Sequence, residues 1–362
     1  MENFKPLPSL KPPLQRISAV DWLKCNVFHT PANIVFSVIA STLLLYGLFF
    51  LLKWSVWDAD FLGTTKQDCD SGGACWVFVK VYFEQFIYGL YPADSYWRIN
   101  LAFGLLILIC TVFYYLPVKK RHWLLIIPIT LPIMFWLFHG DGYYLSIIET
   151  SNWGGLFLTV VITVTAIVIG FPLGILLALG RQSNMPAVHA VCVVFIEVIR
   201  GVPLITVLFM ASVMLPLFLP MEMQVDKLLR AIIGISIFAS AYIAEAVRAG
   251  LNSLPTGQYE AAKALGLSYW HKQIFVILPQ ALTIEIPVLL GSFISLFKDT
   301  TLVTIIGLAD FLTMGYMASQ NPAWLGSSIE VYVFCAFVYW VICFAASSYV
   351  GRLEARLASK QH

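Results

Sequence analysis

Residues 260–279 read EAAKALGLSYWHKQIFVILP, and this polar stretch separates two long apolar runs at 231–249 and 284–308. Alanine and glutamate favour helix, so we predict a short helix from about Gly257 to Gly266. Glycine readily takes the left-handed conformation that ends a helix, so Gly266 is the predicted stop.

A second short helix is predicted directly after the first. Ser268 can cap it, and Pro279 is expected to end it after residues 269–277. Its polar and apolar side chains alternate as in an amphipathic helix: His271, Lys272 and Gln273 beside Trp270, Ile274 and Ile277. Two such helices form a compact knob suited to docking, so segment 252–285 is predicted to bind another protein.

The rest of the chain is dominated by long apolar runs. Hydrophobic residues make up 59% of the 362 residues and charged residues 12%, whereas a soluble domain carries about 25% charged residues. Since about 20 apolar residues cross a bilayer as a helix, the sequence predicts an all-α membrane protein with about eight transmembrane helices. The runs lie at 33–52, 99–118, 123–139, 154–180, 187–219, 231–249, 284–308 and 329–350. Pro203 and Pro216 are predicted to bend or end the longest run.

The placement of lysine and arginine sets the predicted orientation. With a cytoplasmic N-terminus, 14 of these residues fall in inside segments and 6 in outside segments, as expected for an inner-membrane protein. The N-terminal arm 1–30 and the tail 351–362 are then both cytoplasmic. The loop 54–98 lies in the periplasm, and segment 252–285 faces the cytoplasm.

We predict that the membrane-embedded portion of the chain consists of two regions, both in contact with lipid. An N-terminal extension at 31–152 carries three helices, and a core at 153–350 carries five. No internal repeat is visible, which disfavours transporters built from inverted halves. No basic run is long enough to indicate a nucleic-acid partner.

Segment 252–285 also resembles a known signature. Its spacing is similar to the EAA signature of permease subunits of ABC importers: Glu-Ala-Ala, three residues, Gly, nine residues, an aliphatic residue, one residue and Leu-Pro. The matching residues are Glu260, Ala261, Ala262, Gly266, Val276, Leu278 and Pro279, with Val276 where isoleucine is frequent. The resemblance implies a type I ABC importer core, in which this loop fits a socket on an ATP-hydrolysing subunit.

Other motifs narrow the resemblance to polar amino-acid permeases. The region before the core at 153–350 contains the motifs FIYGLYP and WRIN. This region looks like the N-terminal extension of acidic-and-amide or broad-specificity L-amino-acid permeases. The resemblance therefore implies import of Glu, Gln, Asp, Asn or a broader range of polar L-amino acids from periplasm to cytoplasm. The core motifs are EVIRGVP at 197–203, AYIAEAVRAGL at 241–251 and SLFKDTTLVTIIGL at 295–308.

The resemblance also implies partners. These are a second permease, expected to be a related but different chain, a dimer of ATPase subunits, and a periplasmic amino-acid-binding protein. Because the chain has no GxxxxGKS/T phosphate loop, ATP and Mg²⁺ are expected to be used by the ATPase partner. The chain itself is then no enzyme and binds no cofactor. The alternative is an ion-coupled secondary transporter without an ATPase; an intramembrane enzyme or a channel has no supporting motif.

Charged residues inside the predicted spans need a physical reason, because a charge at the bilayer centre costs at least about 2.5 kcal/mol. Glu197 and Arg200 are three residues apart, so they can pair on one helix face. Arg200 could instead position pore loops or meet a substrate carboxylate. Glu245 and Arg248 have the same spacing, and a structural ion pair is predicted there.

Lys298 and Asp299 are predicted in the middle of a span. They could line the substrate path and bind the carboxylate and ammonium groups of an amino acid, or they could tie two permease halves together. The family often has asparagine at the position of Gly291, next to Ser292. These two residues are included in the candidate path, although Gly291 has no side chain for hydrogen bonds.

Two cysteines lie in a polar loop. Cys69 and Cys75 occur in DCDSGGAC, and a disulfide between them is possible if the loop faces the periplasm. No CxxC or Cys/His cluster supports a metal site. The remaining cysteines in apolar runs are expected to be inert: Cys110, Cys192, Cys335 and Cys343.

Overall fold

The described part of the chain is mostly helical, as the sequence predicts. A computed structural model describes residues 27–115, 123–218 and 225–358, with Ser18, Leu23 and Pro220. Its α-helices are α1 (Pro31–Leu52), α2 (Trp76–Val81), α3 (Phe83–Tyr88), α4 (Tyr96–Tyr115), α5 (Trp123–His139), α6 (Gly155–Arg181), α7 (Pro186–Gly201), α8 (Leu204–Phe209), α9 (Lys227–Ser253), α10 (Thr256–Ala264), α11 (Tyr269–Lys272), α12 (Leu278–Asp299), α13 (Phe311–Ser319) and α14 (Ser328–Ala358). A two-residue strand, β1 (Ala309–Asp310), precedes α13.

The chain divides into two compact units, and the first, Met1–Val77, contains α1. Thr30 caps α1 by accepting a hydrogen bond from the Asn33 amide at 3.2 Å. A proline occupies the first turn, where its missing N–H breaks no helical bond. None of the α1 residues is buried, and the mean hydropathy of 2.4 over Pro31–Trp57 suits lipid contact. The predicted span at 33–52 is therefore confirmed as a helix long and apolar enough to cross a membrane.

The loop after α1 is closed on itself. The Asp60 amide donates to the Ala74 carbonyl oxygen at 2.9 Å, and the Trp76 amide donates to the Asp60 carbonyl oxygen at 2.9 Å. The structure pairs Cys69 with Cys75 in a disulfide, with Cα atoms 5.6 Å apart. The loop is thus tied by backbone bonds and a covalent link.

The second unit, Phe78–His362, is built around α6 and α9, which are each 27 residues long. A Cβ built on Gly174 would lie 2.6 Å from Ile243 Cγ2 and 2.9 Å from the Ser240 carbonyl oxygen. At Gly170 it would lie 3.1 Å from the carbonyl oxygen of Ser236. Small residues let membrane helices approach closely, so this contact requires glycine at Gly174.

The predicted run at 187–219 is a broken segment. Helix α7 ends at Gly201, Pro203 is the N-cap residue of α8, and the two helical directions differ by 106°. Pro216 lies in a 3₁₀ turn at the far end. The prediction that prolines bend this run is confirmed.

Five helices of the described part are long and apolar enough to cross a membrane, or up to six if the bent pair counts as one span. The predicted runs at 231–249 and 329–350 fall within these helices, and the runs at 154–180 and 284–308 extend beyond two others by at most two residues. Two further predicted runs, at 99–118 and 123–139, are helical as α4 and α5, but residues 116–122 between them lie outside the described part. The count of eight spans stays a prediction.

The segment after α12 differs from the single helix predicted over 284–308. The α-helix ends at Asp299, and a 3₁₀ helix follows as far as Gly307, whose φ is +78°. Strand β1 then pairs with Gly154 and Gly155. Asp310 is fully buried and caps α13 by accepting hydrogen bonds from the Leu312 and Thr313 amides, both at 3.1 Å.

The described residues of the range 78–152 belong to the second unit. Trp153 is 1% exposed and contacts the rings of Phe135, Phe138 and Phe157. Arg98 is also buried and donates to the carbonyl oxygen and the hydroxyl of Ser146 at 2.9 and 2.8 Å. The boundary between the compact units falls at Val77, and the predicted division between 31–152 and 153–350 stays a prediction.

An ion cluster joins α6, α7 and α9. Glu245 lies 3.3 Å from Arg181, 3.7 Å from Arg200 and 2.5 Å from Arg248. The predicted pair of Glu245 with Arg248 is confirmed. The predicted pair of Glu197 with Arg200 is wrong, because Glu197 pairs with Arg181 at 2.9 Å and Arg200 turns to Glu245. Packing between helices overrides the spacing along one helix.

Replacing the carboxylate at the centre of this cluster should destabilise the fold. The substitution Glu245→Gln leaves three arginines close together and only partly exposed. We expect a loss of about 1–2 kcal/mol and a midpoint of thermal unfolding lower by a few degrees. The measurement is thermal unfolding in detergent, with the exposed Glu354→Gln in α14 as the control. Equal midpoints for the two variants would contradict a structural role for the cluster.

The loop disulfide is expected in protein purified without reductant. Since disulfides persist outside the cytoplasm, peptides containing Cys69 and Cys75 should be linked and lighter by two hydrogen atoms. The measurement is peptide mass analysis after alkylation in denaturant. Cys192, Cys335 and Cys343, which are unpaired in the described part, should all be alkylated. Alkylation of Cys69 and Cys75 without reductant would sink the prediction.

Candidate functional site

The connection between α9 and α12 forms a helical knob, residues 254–277. Helix α10 ends where predicted, since Gly266 has a φ of +69°. The Gly266 amide donates to the Lys263 carbonyl oxygen at 2.9 Å, and the Leu267 amide donates to the Ala262 carbonyl oxygen at 3.2 Å. These bonds satisfy carbonyl groups at the end of α10. The prediction of a left-handed stop at Gly266 is confirmed.

The second helix of the knob does not end at Pro279. Helix α11 continues as a π-helix over Gln273–Ile277 and then as α12, and helix persists from Tyr269 to Ile306. Pro279 lies in the first turn of α12, where a proline is tolerated, and the wider π turn comes immediately before it. The prediction that Pro279 stops this helix is therefore wrong.

Ser268 does not cap α11 through its side chain, although the sequence predicted such a cap. Ser268 occupies the N-cap position, but its side chain makes no hydrogen bond to the backbone there. Its Oγ lies 2.7 Å from His271 Nδ1 instead. Two cation–aromatic contacts complete the turn, because Lys272 Nζ lies 5.9 Å from the ring centre of Tyr259 and 5.6 Å from that of Tyr269. The Tyr259 hydroxyl in turn donates to the Leu251 carbonyl oxygen at 3.0 Å.

The signature residues divide between anchoring and exposed positions. Ala262 and Leu278 are buried, and Val276 is half-buried, so these three hold the knob to the bundle. The outward-facing members of the signature are Glu260, Ala261, Gly266 and Pro279.

The knob also presents an exposed apolar surface. Leu265 is 79% exposed and Phe275 is 70% exposed. We call this surface the knob face, and it consists of Leu265, Tyr269, Trp270, Ile274 and Phe275. Contiguous exposed apolar side chains mark interaction sites on proteins. The arrangement can therefore bind an apolar socket on another protein.

A cleft of about 430 Å³ lies between α9 and α12. It brings together three of the predicted path residues, Gly291, Ser292 and Asp299. The Ser292 hydroxyl donates to the Val288 carbonyl oxygen at 3.0 Å, and the space beside Gly291 is open. A cleft of this volume accommodates a small molecule.

The other predicted path residues lie outside this cleft. Lys298 is exposed and does not line it, and Glu197 is bound to Arg181. Arg200 stands at its margin, with its guanidinium carbon 5.7 Å from the ring centre of Tyr242, which lines the cleft. Lys298 and Asp299 lie in the last turn of α12, while the helical segment continues to Ile306, so their predicted position in the middle of a span stays a prediction.

Sequence reasoning missed several residues of this region. Tyr242 and Phe238 line the cleft from α9. The signal was available for Tyr242, which carries a hydroxyl inside a predicted span three residues before Glu245. Arg181 is not among the predicted site residues, although it joins the ion cluster. Among the described residues, no three His, Cys, Asp or Glu side chains are grouped as metal ligands.

Two long relatives match nearly the whole chain. The inner membrane amino-acid ABC transporter permease protein YhdY of Escherichia coli K12 is 49% identical over 343 residues, which is 93% of this chain and 93% of the relative. The glutamate/glutamine/aspartate/asparagine transport system permease protein BztC of Rhodobacter capsulatus is 36% identical over 423 aligned residues, covering 98% of this chain and 97% of the relative.

A shorter relative matches part of the chain. The glutamate/aspartate import permease protein GltK of Escherichia coli O6:H1 is 37% identical over 209 residues, which is 56% of this chain but 92% of the relative. This chain therefore carries sequence that the shorter relative lacks.

A family model covers the ion cluster, the knob and the cleft together. It describes the inner membrane component of binding-protein-dependent transport systems and matches residues 170–359. The resemblance to ABC importer permeases, first indicated by residues 260–279, is confirmed by this match and by the long relatives. This chain belongs to the family of inner membrane components of binding-protein-dependent transport systems.

Proposed function

We propose that this chain forms one half of the transmembrane pathway of an ATP-driven importer of polar L-amino acids. The observation that carries the proposal is the exposed knob face on the connection between α9 and α12. With the predicted cytoplasmic placement of the knob, lipid cannot cover this surface, so it calls for a protein partner, and a permease needs such a contact to receive movement from an ATPase subunit. The family membership and the amino-acid permease names of the relatives support the same role.

The coupling step follows from the continuity of the helix. Residues Tyr269–Ile306 form one helical segment of 38 residues, so a push on the knob moves α12 as a rod. At 1.5 Å per residue, Ser292 lies about 35 Å along this rod from Tyr269. Movement of the knob therefore reaches Gly291 and Ser292 in the cleft. Closure of an ATPase dimer on ATP would in this way change the shape of the path.

The architecture completes the proposal. Eight spans, cytoplasmic N- and C-termini and a cytoplasmic knob agree with the excess of lysine and arginine in the inside segments. The region 153–350 then forms a five-helix type I ABC importer core with coupling loop 252–285, and 31–152 forms an extension with three helices.

Four kinds of partner belong to this assembly. A second permease, related but different, closes the open side of the cleft, and an ATPase dimer hydrolyses ATP with Mg²⁺ beneath the knobs. A periplasmic amino-acid-binding protein delivers the substrate, and lipid surrounds the spans. The chain itself supplies no cofactor chemistry.

The substrate path is proposed to run through the cleft. Asp299 offers a carboxylate to a substrate ammonium group, and Ser292 offers a hydroxyl. Arg200 stands beside Tyr242 at the margin, where its charge can attract a substrate carboxylate. Glu197 and Lys298 lie outside the cleft, and their charges are proposed to act on the substrate at the entrance of the path. Relatives named for glutamate, glutamine, aspartate and asparagine support an acidic or amide amino acid as substrate.

The function can be tested on the purified assembly. We expect an ATPase subunit to copurify with the chain, and its activity in proteoliposomes to rise when amino-acid-loaded binding protein is added. Among the amino acids tested for binding to that protein, Glu, Gln, Asp and Asn should bind most tightly. Uptake by this chain alone, driven by an ion gradient, would overturn the proposal.

The knob can be tested by paired substitutions. Gly266→Asp places a side chain at a φ of +69°, which costs about 1 kcal/mol and reshapes the end of α10. We expect this variant to reach the membrane but to lose amino-acid uptake. Gly257→Asp is the matched control, because its surroundings are equally open and it lacks a positive φ. Wild-type uptake by Gly266→Asp would refute the coupling role.

A further inference from the structure

An apolar groove lies between α4, α5, α6 and α9. Its volume is about 270 Å³, and almost all of its lining is hydrocarbon. An apolar cavity of about 150 Å³ already stays dry and accepts an apolar guest such as benzene. Water is therefore a poor occupant of this larger groove. Residues that line it include Phe103, Phe135, Trp153, Val160, Val164 and Ile232.

The groove extends about one leaflet deep. All of its lining residues lie within about ten residues of one end of the bundle, where α6 and α9 begin and α5 ends. Ten helical residues span about 15 Å, half of the roughly 30 Å of bilayer hydrocarbon. This depth matches one acyl chain entering from the headgroup region.

A polar cleft of about 570 Å³ adjoins the groove at the same end of the bundle. Lys227 and Arg230 from the start of α9 line it, together with Thr150 and Ser151. The acidic group nearby, Asp226, is already engaged, because its carboxylate accepts from the Thr150 hydroxyl at 2.7 Å and from the Leu228 amide at 3.1 Å.

The two cations are available to an anion. Arg230 donates to a neutral group, the Ser212 carbonyl oxygen. Lys227 is exposed and has neither an ion pair nor a hydrogen bond within the described ranges. The described lining of the cleft therefore holds two cations, Lys227 and Arg230, against one carboxylate, Asp226, and its net charge is positive.

Trp153 lines both cavities. It is 1% exposed, and its indole Nε1 has no hydrogen-bond partner in the part of the chain that the structure describes. A buried donor without an acceptor is costly, so a ligand that brings an oxygen to this position would stabilise it.

We infer that the groove and the cleft form one site for an anionic phospholipid. The acyl chain fills the groove, the phosphate accepts hydrogen bonds from Lys227 and Arg230, and a glycerol-ester oxygen is the acceptor for Trp153 Nε1. Charge-assisted bonds from Lys and Arg are the ordinary means of holding a phosphate. The site needs only the membrane environment, so it holds whether or not the proposed import function does.

The site can be tested with purified protein, together with any subunits that copurify, after exchange into lipid-free detergent. Phosphatidylglycerol and phosphatidylcholine with the same acyl chains are the probes, and the readouts are bound lipid in native mass spectrometry and the midpoint of thermal unfolding. We expect retention of one phosphatidylglycerol per chain and a larger rise in midpoint with phosphatidylglycerol than with phosphatidylcholine. Equal responses to the two lipids, or no retained lipid, would overturn the inference.

Three variants separate the parts of the site. Lys227→Gln changes an exposed residue and should weaken phosphatidylglycerol binding by about fivefold, with phosphatidylcholine binding unchanged. Val164→Phe fills the groove and should weaken both lipids. Ile342→Phe fills a different apolar groove, of about 230 Å³ between α12 and α14, which no cation lines. This control should bind phosphatidylglycerol as the wild type does.

A rival use of the same cations is docking of an acidic protein surface. If Lys227→Gln lowers stimulation by the binding protein while the lipid preference is unchanged, the cleft serves that protein and the lipid site is rejected. Loss of the preference for phosphatidylglycerol in Lys227→Gln, with normal unfolding of the lipid-free variant, supports the lipid site.

Discussion

The backbones of α6 and α9 meet so closely at Gly174 that a single added carbon would overlap Ile243. Inside a bilayer, helices gain little from hiding apolar surface from one another, so close packing must hold them together. This contact sets the distance between the two longest helices of the second unit. The ion cluster of Arg181, Arg200, Glu245 and Arg248 then attaches α7 to the same pair of helices.

The knob and the cleft depend on that framework in different ways. Helix α9 leads into the knob and lines one wall of the cleft, whereas α12 leads out of the knob and lines the other wall. A Cβ on Gly250 would lie 2.6 Å from the Ala281 carbonyl oxygen, so the two helices are also in close contact beside the knob. A displacement of the knob relative to α6 would therefore move both helices that line the cleft.

Local features of the fold could be predicted from the sequence, and features set by distant residues could not. The long apolar runs predicted the membrane helices, and Gly266 predicted the end of α10, because both depend on neighbours along the chain. The pairing of Glu197 with Arg181 could not be predicted, since it depends on how α6 and α7 pack. The continuation of the helix through Pro279 could not be predicted either. It depends on the π turn that precedes this proline, and no residue type specifies such a turn. The cleft could be predicted only in part. Its residues from α12 were candidates from the sequence, whereas its residues from α9 could be identified only from the packing of the two helices.

Helix α1 has no buried residue, and this has an evolutionary consequence. A side chain that is not packed in an interior is selected for its hydrophobicity more than for its shape. Apolar residues can therefore replace one another along α1, provided that the segment stays long and hydrophobic enough to cross a membrane.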